Sequence, residues 1–129
     1  MSQIEKLSRI YDRAMSQGVE SLTNDDRELY LIQNFLIELE MSGLSGYFYN
    51  NVHAPGGISS TIAAMRKYGL SELAQLLSEA FALFGASATP EDAMQWSDIL
   101  RKCDPTNRIA LIEDRMCSLD NYGIESSRL

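Results

Sequence analysis

A spacing of three to four between apolar residues, repeated segment after segment and never replaced by alternation in twos, is the feature that most limits what this chain can fold into. Ile4, Leu7, Tyr11, Ala14 and Met15 predict a helix from about Gln3 to Gln17. Gly18, a residue that accepts the left-handed conformation, is placed to stop it. Thr23 then caps a second helix, with Asn24, Asp25 and Asp26 at its positive end. That helix is expected to reach about Met41. Its apolar stripe of Leu29, Ile32, Phe35, Leu36 and Leu39 is widened by Tyr30, Leu31 and Ile37, as in a central helix covered on more than one side.

The aromatic segment Gly43 to Asn51 has no second alternating run to pair with as a strand, so a short helix or turn is expected. His53-Ala54-Pro55-Gly56-Gly57 reads as a loop. Two further helices are expected, from about Ser59 to Tyr68 ahead of Gly69 and from Ser71 to Phe84 ahead of Gly85. Thr89-Pro90-Glu91-Asp92 has the form of a helix start, with a cap, a proline at the first helical position and acids in the first turn. The helix it opens carries Met94, Trp96, Ile99 and Leu100 to about Cys103. After Asp104-Pro105, a last helix carries Ile109, Leu111, Ile112, Met116 and Leu119 toward Tyr122. The expected fold is all-α, a bundle of about six helices forming a single domain over residues 1–129.

Composition supports a folded chain, since 45% hydrophobic and 22% charged residues is an ordinary globular balance. With 18 acids against 11 bases the net charge is −7, and no run of Lys/Arg exceeds two. Direct binding of nucleic acid or of an anionic membrane is therefore disfavoured, while a basic partner is attracted. The same charge also suffices simply to keep a small domain soluble. Met1 to Ser16 is charged and helical in pattern, which is not a secretory signal, and no apolar stretch is long enough to span a bilayer. Cys103 and Cys117 do not make a disulfide framework, so the expected compartment is the cytoplasm.

Catalytic constellations are missing from the pattern. His53 is the only histidine, and a triad or zinc site would need it to meet groups distant in sequence. The cysteines form no Cys-x-x-Cys pair. The run Gly56 to Thr61 opens a helix, where backbone N–H groups can hold an anion, but it lacks the lysine and preceding strand of a P-loop. Glu38 and Glu40 point about 200° apart on a helix and cannot share a site as an acid/base dyad. No cofactor, metal or catalytic residue is expected. The acids fall instead into three groups: Asp25, Asp26 and Glu28; Glu91, Asp92 and Asp98; and Glu113, Asp114 and Asp120 with Glu125. Helix starts account for Asp25, Asp26, Glu91 and Asp92, and Asp98 with Lys102 is an i, i+4 pair. Only convergence of the groups on one face would approach the charge density of duplex DNA.

The stretch from Glu38 to Asn50 resembles the signature of a bacterial helical family, catalogued as a domain of unknown function, that includes the neisserial DNA-mimic protein. That signature ends a long helix with an Asn-Gly-Gly-Phe turn and continues Gln-aromatic-Phe-x-Asn. Gly43, Leu44, Tyr47, Phe48 and Asn50 fit it. Thr61 to Met65 with Gly69, and Ala74 to Ala80, are similar to the family's next two helices, and Leu119-Asp120 with Tyr122 is a looser echo of its C-terminal end. Ser42 stands where the signature has asparagine, Gly46 where it has glutamine, and one glycine of the pair is missing. The resemblance implies a helical domain without known enzymatic activity and, by its described relative, an acidic dimer that covers the DNA-binding surface of a transcription regulator. The matching residues themselves are architectural: Gly43 for the turn, Tyr47 and Phe48 for the core, Asn50 for bonds to nearby backbone. Mimicry is thus not carried by the motif.

The expected function is an acidic protein-binding domain, DNA-mimic-like, that engages a basic or DNA-binding protein, with a homodimer implied by the resemblance alone. A second reading is an immunity-type or adaptor domain using an apolar patch around Tyr47, Tyr49 or Trp96. A third, a small hydrolase-like enzyme, would rest on His53, Ser59, Ser60 and the glycine loop.

Overall fold

The computed structural model describes residues 2–52, 57–84, 90, 92–127 and 129, without the side chains of residues 125 and 126. Six α-helices lie among them: α1 (Gln3–Gln17), α2 (Asn24–Asn51), α3 (Gly57–Lys67), α4 (Ser71–Ala82), α5 (Ala93–Cys103) and α6 (Arg108–Ser118). A 3-10 turn, Val19–Ser21, follows α1, and another, Asp120–Ser126, follows α6. The described residues contain no strand, as the unbroken helical period requires. His53, Gly56, Gly85, Thr89 and Glu91 lie outside the described residues.

The first helix has the predicted bounds. Ser2 caps it by accepting from the Glu5 N–H at 3.1 Å, and Leu7, Ile10 and Ala14 form its buried stripe. Gly18 ends it at φ 89, ψ 148, so the chain leaves in an extended glycine conformation and not in the left-handed helical one. Thr23 caps α2, its hydroxyl accepting from the Asp26 N–H at 3.2 Å. Contacts with α1, α3 and α6 make α2 the central helix. Leu29, Ile32, Phe35, Leu36 and Leu39 supply its share of the core.

Helical bonding in α2 does not stop near Met41 but resumes after a bend at Gly43 and continues to Asn51. Gly43 sits at φ 73, ψ 175, a region open essentially to glycine alone. The bend folds the second arm back on the first. In a straight helix Glu38 and Asn50 would be about 18 Å apart along the axis; here Asn50 Nδ2 donates to Glu38 Oε1 at 3.0 Å. The Phe35 and Tyr47 rings likewise meet edge-on at 4.8 Å. Tyr47 and Phe48, at 1% and 0% exposure, therefore close the core as anchors of the returning arm.

The later helices keep their predicted order with shifted ends. Gly57, not Ser59, is the first residue of α3, where the Thr61 hydroxyl bonds back to the Gly57 carbonyl at 2.8 Å. The fourth helix ends at Ala82, two residues before Phe84. For α5 the cap is Asp92, whose carboxylate accepts from the Gln95 N–H at 2.8 Å. Pro90 consequently precedes the helix, and Asp92 is not an acid of its first turn. Asp92 stands three residues before the Gln95 N–H, the position from which a side chain satisfies an orphan donor at a helix start. At α6, Asp104 accepts from the N–H groups of Arg108 and Ile109 at 2.7 and 2.9 Å, which satisfies a buried charge. The helix ends at Ser118, and Asn121, Tyr122 and Gly123 all take positive φ in the turn that follows.

Candidate functional site

The acidic residues do not share one role. At the start of α2, the Lys67 ammonium from the end of α3 donates to Asp25 at 3.1 Å and to Glu28 at 2.8 Å. Arg13 of α1 donates to Asp26 at 3.2 Å. Two cations thus answer three carboxylates. The hydrogen bonds that Lys67 donates, to Glu28 first and then to Asp25, hold its pKa well above the usual lysine range. This group ties three helices together and leaves little net field.

The second group also has local duties. Asp92 caps α5, and Asp98 pairs with Arg101 one turn on, in place of the predicted Lys102. Glu91 lies outside the described residues.

Glu113 and Asp114 of the third group lie on α6 beside the α2 bend, Asp120 opens the 3-10 turn after it, and Glu40 joins them from α2. On α6 each residue turns the side chain by about 100°. Ile109, Ile112 and Met116 therefore face the core, while Glu113 and Cys117 share the flank toward α2. Glu113 reaches across that flank and accepts from the Leu44 N–H at 2.5 Å. Leu44 opens the second arm of α2, so Glu113 caps a helix that lies 69 residues away in sequence. A Cβ at Gly43 would stand 3.0 Å from the same carboxylate. Glu113 is thus a joint of the fold before it is a surface charge.

Glu40 and Asp114 lie around this joint. Partial burial, and after it the charges of Glu113, Asp114 and Glu40, push the Cys117 thiol above its ordinary pKa. Burial, then Cys117, Glu40 and Glu113, do the same to Tyr122. Asp120 and Tyr122 line a cavity beyond the end of α6, on its α4 side, with Glu72 and Leu119. Among the described residues no ion pair involves Glu40, Asp114 or Asp120. Along α2, Asp25 and Glu40 are about 22 Å apart, so the first and third groups occupy separate places.

Sequence reasoning missed Glu38 as well. Its carboxylate accepts from Asn34 at 2.9 Å, Asn50 at 3.0 Å and Asn51 at 2.7 Å. The expected bond from Asn50 to nearby backbone is replaced by this one, because the bend carries a carboxylate within reach; Asn51 instead donates to the Tyr47 carbonyl. A glutamate before the glycine turn and a pair of asparagines after it were the available signal. The rejected Glu38–Glu40 dyad stays apart: Glu38 works inside the bend, and Glu40 is exposed outside it.

An aromatic interaction patch is overturned. Tyr47 and Trp96 are buried at 1% and 5% exposure, and Tyr49 is half-buried. The Trp96 indole N–H donates to the Ser45 hydroxyl at 3.0 Å, and its ring packs on Phe84 and Tyr49. These rings complete the core, where desolvation favours them over a wet surface. Ser59 and Ser60 are exposed on α3. Among the described residues no group of three His, Cys, Asp or Glu side chains is placed to hold a metal ion, and no helix is long and apolar enough to cross a membrane.

Comparison with known proteins gives one result. The profile of a family described as DMP19-like protein matches residues 20–127. No curated protein and no solved structure matches the chain. The matched span runs from the turn before α2 through the positive-φ residues after α6, so it contains both the bend and the acids around it.

Proposed function

Since the chain belongs to the DMP19-like protein family, we propose that it is a non-enzymatic, cytoplasmic, single-domain protein that binds a basic partner protein, specifically a DNA-binding one. The binding face is the exposed side of α6, from Glu40 and Asp114 to Asp120, with Glu113 at its α2 edge. The family is not known as one of enzymes. One observation carries the reading: the carboxylates of Glu40, Glu113 and Asp114 bear together on Cys117, while the acids at the start of α2 are answered by Lys67 and Arg13. A cluster that has no ion pair among the described residues keeps its long-range field and steers a cationic partner. Homodimer formation belongs to the same proposal and rests on the family alone.

The test is retention of proteins from the source cell on the immobilised chain. The reading predicts that DNA-binding proteins are retained, that they elute as salt rises, and that duplex DNA displaces them, because both ligands compete for one basic surface. Retention indifferent to salt and to DNA would overturn it.

A further inference from the structure

Three shallow cavities run end to end along the seam between α4 and α6, on the flank of α6 opposite Glu113. The first, about 420 Å³, is lined by Glu79, Arg108, Leu111 and Asp114 among others. The second, about 350 Å³, has Gln75 and Leu76 in its wall. The third, about 410 Å³, ends at Asp120 and Tyr122. Adjacent cavities share walls: Arg115 and Ser118 belong to the first two, Glu72 and Leu119 to the last two. They are therefore one groove. Glu79 lies beside the start of α6 and Glu72 beside its end, so the two helices are antiparallel and the groove follows the whole of α6, about 16 Å.

The groove has the two components that recognition of an amphipathic helix requires, an apolar floor and charged rims. Ile112 is buried beneath it, Leu76 and Leu119 are half-buried, and Leu111 stands out at 64% exposure. Four carboxylates, Glu72, Glu79, Asp114 and Asp120, border it against two guanidinium groups, Arg108 and Arg115. Among the described residues, no ion pair within the chain involves any of these four acids. The excess of acid is concentrated at the end formed by Glu72 and Asp120, away from both arginines' cavity. Placing the same face of a second copy here would set like charge against like.

We propose that this groove seats an amphipathic helix of a partner protein, about three turns long, with a leucine-type stripe over Leu76, Leu111 and Leu119 and cationic flanks over the acidic rim. The proposal deepens the reading above, that the chain acts by binding protein, and supplies the shape of the element it holds. Two synthetic helical peptides of about three turns, one of leucine and lysine and one of leucine and glutamate, are the probes. Binding is read by fluorescence anisotropy and located by amide chemical shifts. The lysine peptide should bind about tenfold or more tightly than the glutamate peptide and perturb Leu76, Leu111, Ser118 and Leu119. Leu111→Ser, a change at an exposed side chain that leaves folding intact, should weaken it several-fold, while Asp25→Asn, in the clasp with Lys67, should leave it unchanged. Equal binding of the two peptides, shifts gathered at the α2 bend, or wild-type affinity in Leu111→Ser would each overturn the groove. A failure of salt- and DNA-dependent retention, by contrast, bears on the preceding reading and leaves the peptide map unaltered.

Discussion

Two clusters of carboxylates of similar size have opposite fates in this molecule. Asp25, Asp26 and Glu28 are bound by Lys67 and Arg13 and act as a clasp between α1, α2 and α3. Glu40, Glu113 and Asp114 all bear on Cys117, and among the described residues Glu113 is engaged by a backbone N–H and the three have no ion pair. The difference shows that acid content is a poor guide to an acidic surface. What counts is whether the fold brings a base or another acid to the same place.

The comparison breaks most readily at the joint that holds the second cluster together. Gly43→Ala forces a side chain into a glycine-only conformation, which costs on the order of 1–3 kcal/mol, and presses it on the Glu113 carboxylate. Glu113→Ala leaves the Leu44 N–H without its partner and should cost about 1–3 kcal/mol; Glu113→Gln, which keeps an acceptor, should recover part of that loss. Urea denaturation midpoints check all three. Wild-type stability in both Gly43→Ala and Glu113→Ala would show that the bend does not depend on this contact.

A smaller effect reports directly on crowding. The Cys117 thiol is raised by partial burial and then by its three acidic neighbours, so at a given mildly alkaline pH it holds less thiolate than an ordinary cysteine. Glu40→Gln with Asp114→Asn, in a Cys103→Ser background, should lower the thiol pKa and speed alkylation at that pH. An unchanged pH–rate profile would separate these acids from Cys117.

The least effect is expected at the clasp. Lys67 is held protonated above the usual lysine range by Glu28 and Asp25. A raised folded-state pKa contributes stability that is complete below the unfolded value and lost only as pH rises through the folded one, so the clasp is intact at neutral pH. Lys67→Met should lower the melting temperature slightly, less than Glu113→Ala does, and the difference from wild type should shrink in high salt because the pair is exposed. A loss as large as that of Glu113→Ala would reverse the ranking.

How much of this was legible follows from the range of each interaction. The period of α1 and its Gly18 stop, the Thr23 cap and the wide stripe of α2 are local, and the structure reproduces them. The glycine turn at Gly43 was legible as a turn. Its depth was not, because the contacts that set it, Glu113 to Leu44 and Glu38 to Asn50, join residues that spacing along one helix cannot relate. Ser42 and Gly46, where the chain departs from the family signature, turn out to be neighbours: a Cβ at Gly46 would stand 2.5 Å from the Ser42 Cβ. The acids were countable from the start, but their sorting into clasp, cap and cluster depended on where α3 and α6 dock.

The central claim is that the carboxylates of the α6 flank, and not those of the clasp, bind the basic partner. Two triple variants test it side by side in the retention experiment: Glu40→Gln/Asp114→Asn/Asp120→Asn and Asp25→Asn/Asp26→Asn/Glu28→Gln. Each removes three negative charges from a chain of net charge −7, so an effect of total charge alone would weaken both equally. The account predicts that the first variant loses its DNA-displaceable partners while the second retains them. Equal loss in both, or loss confined to the second, would contradict it.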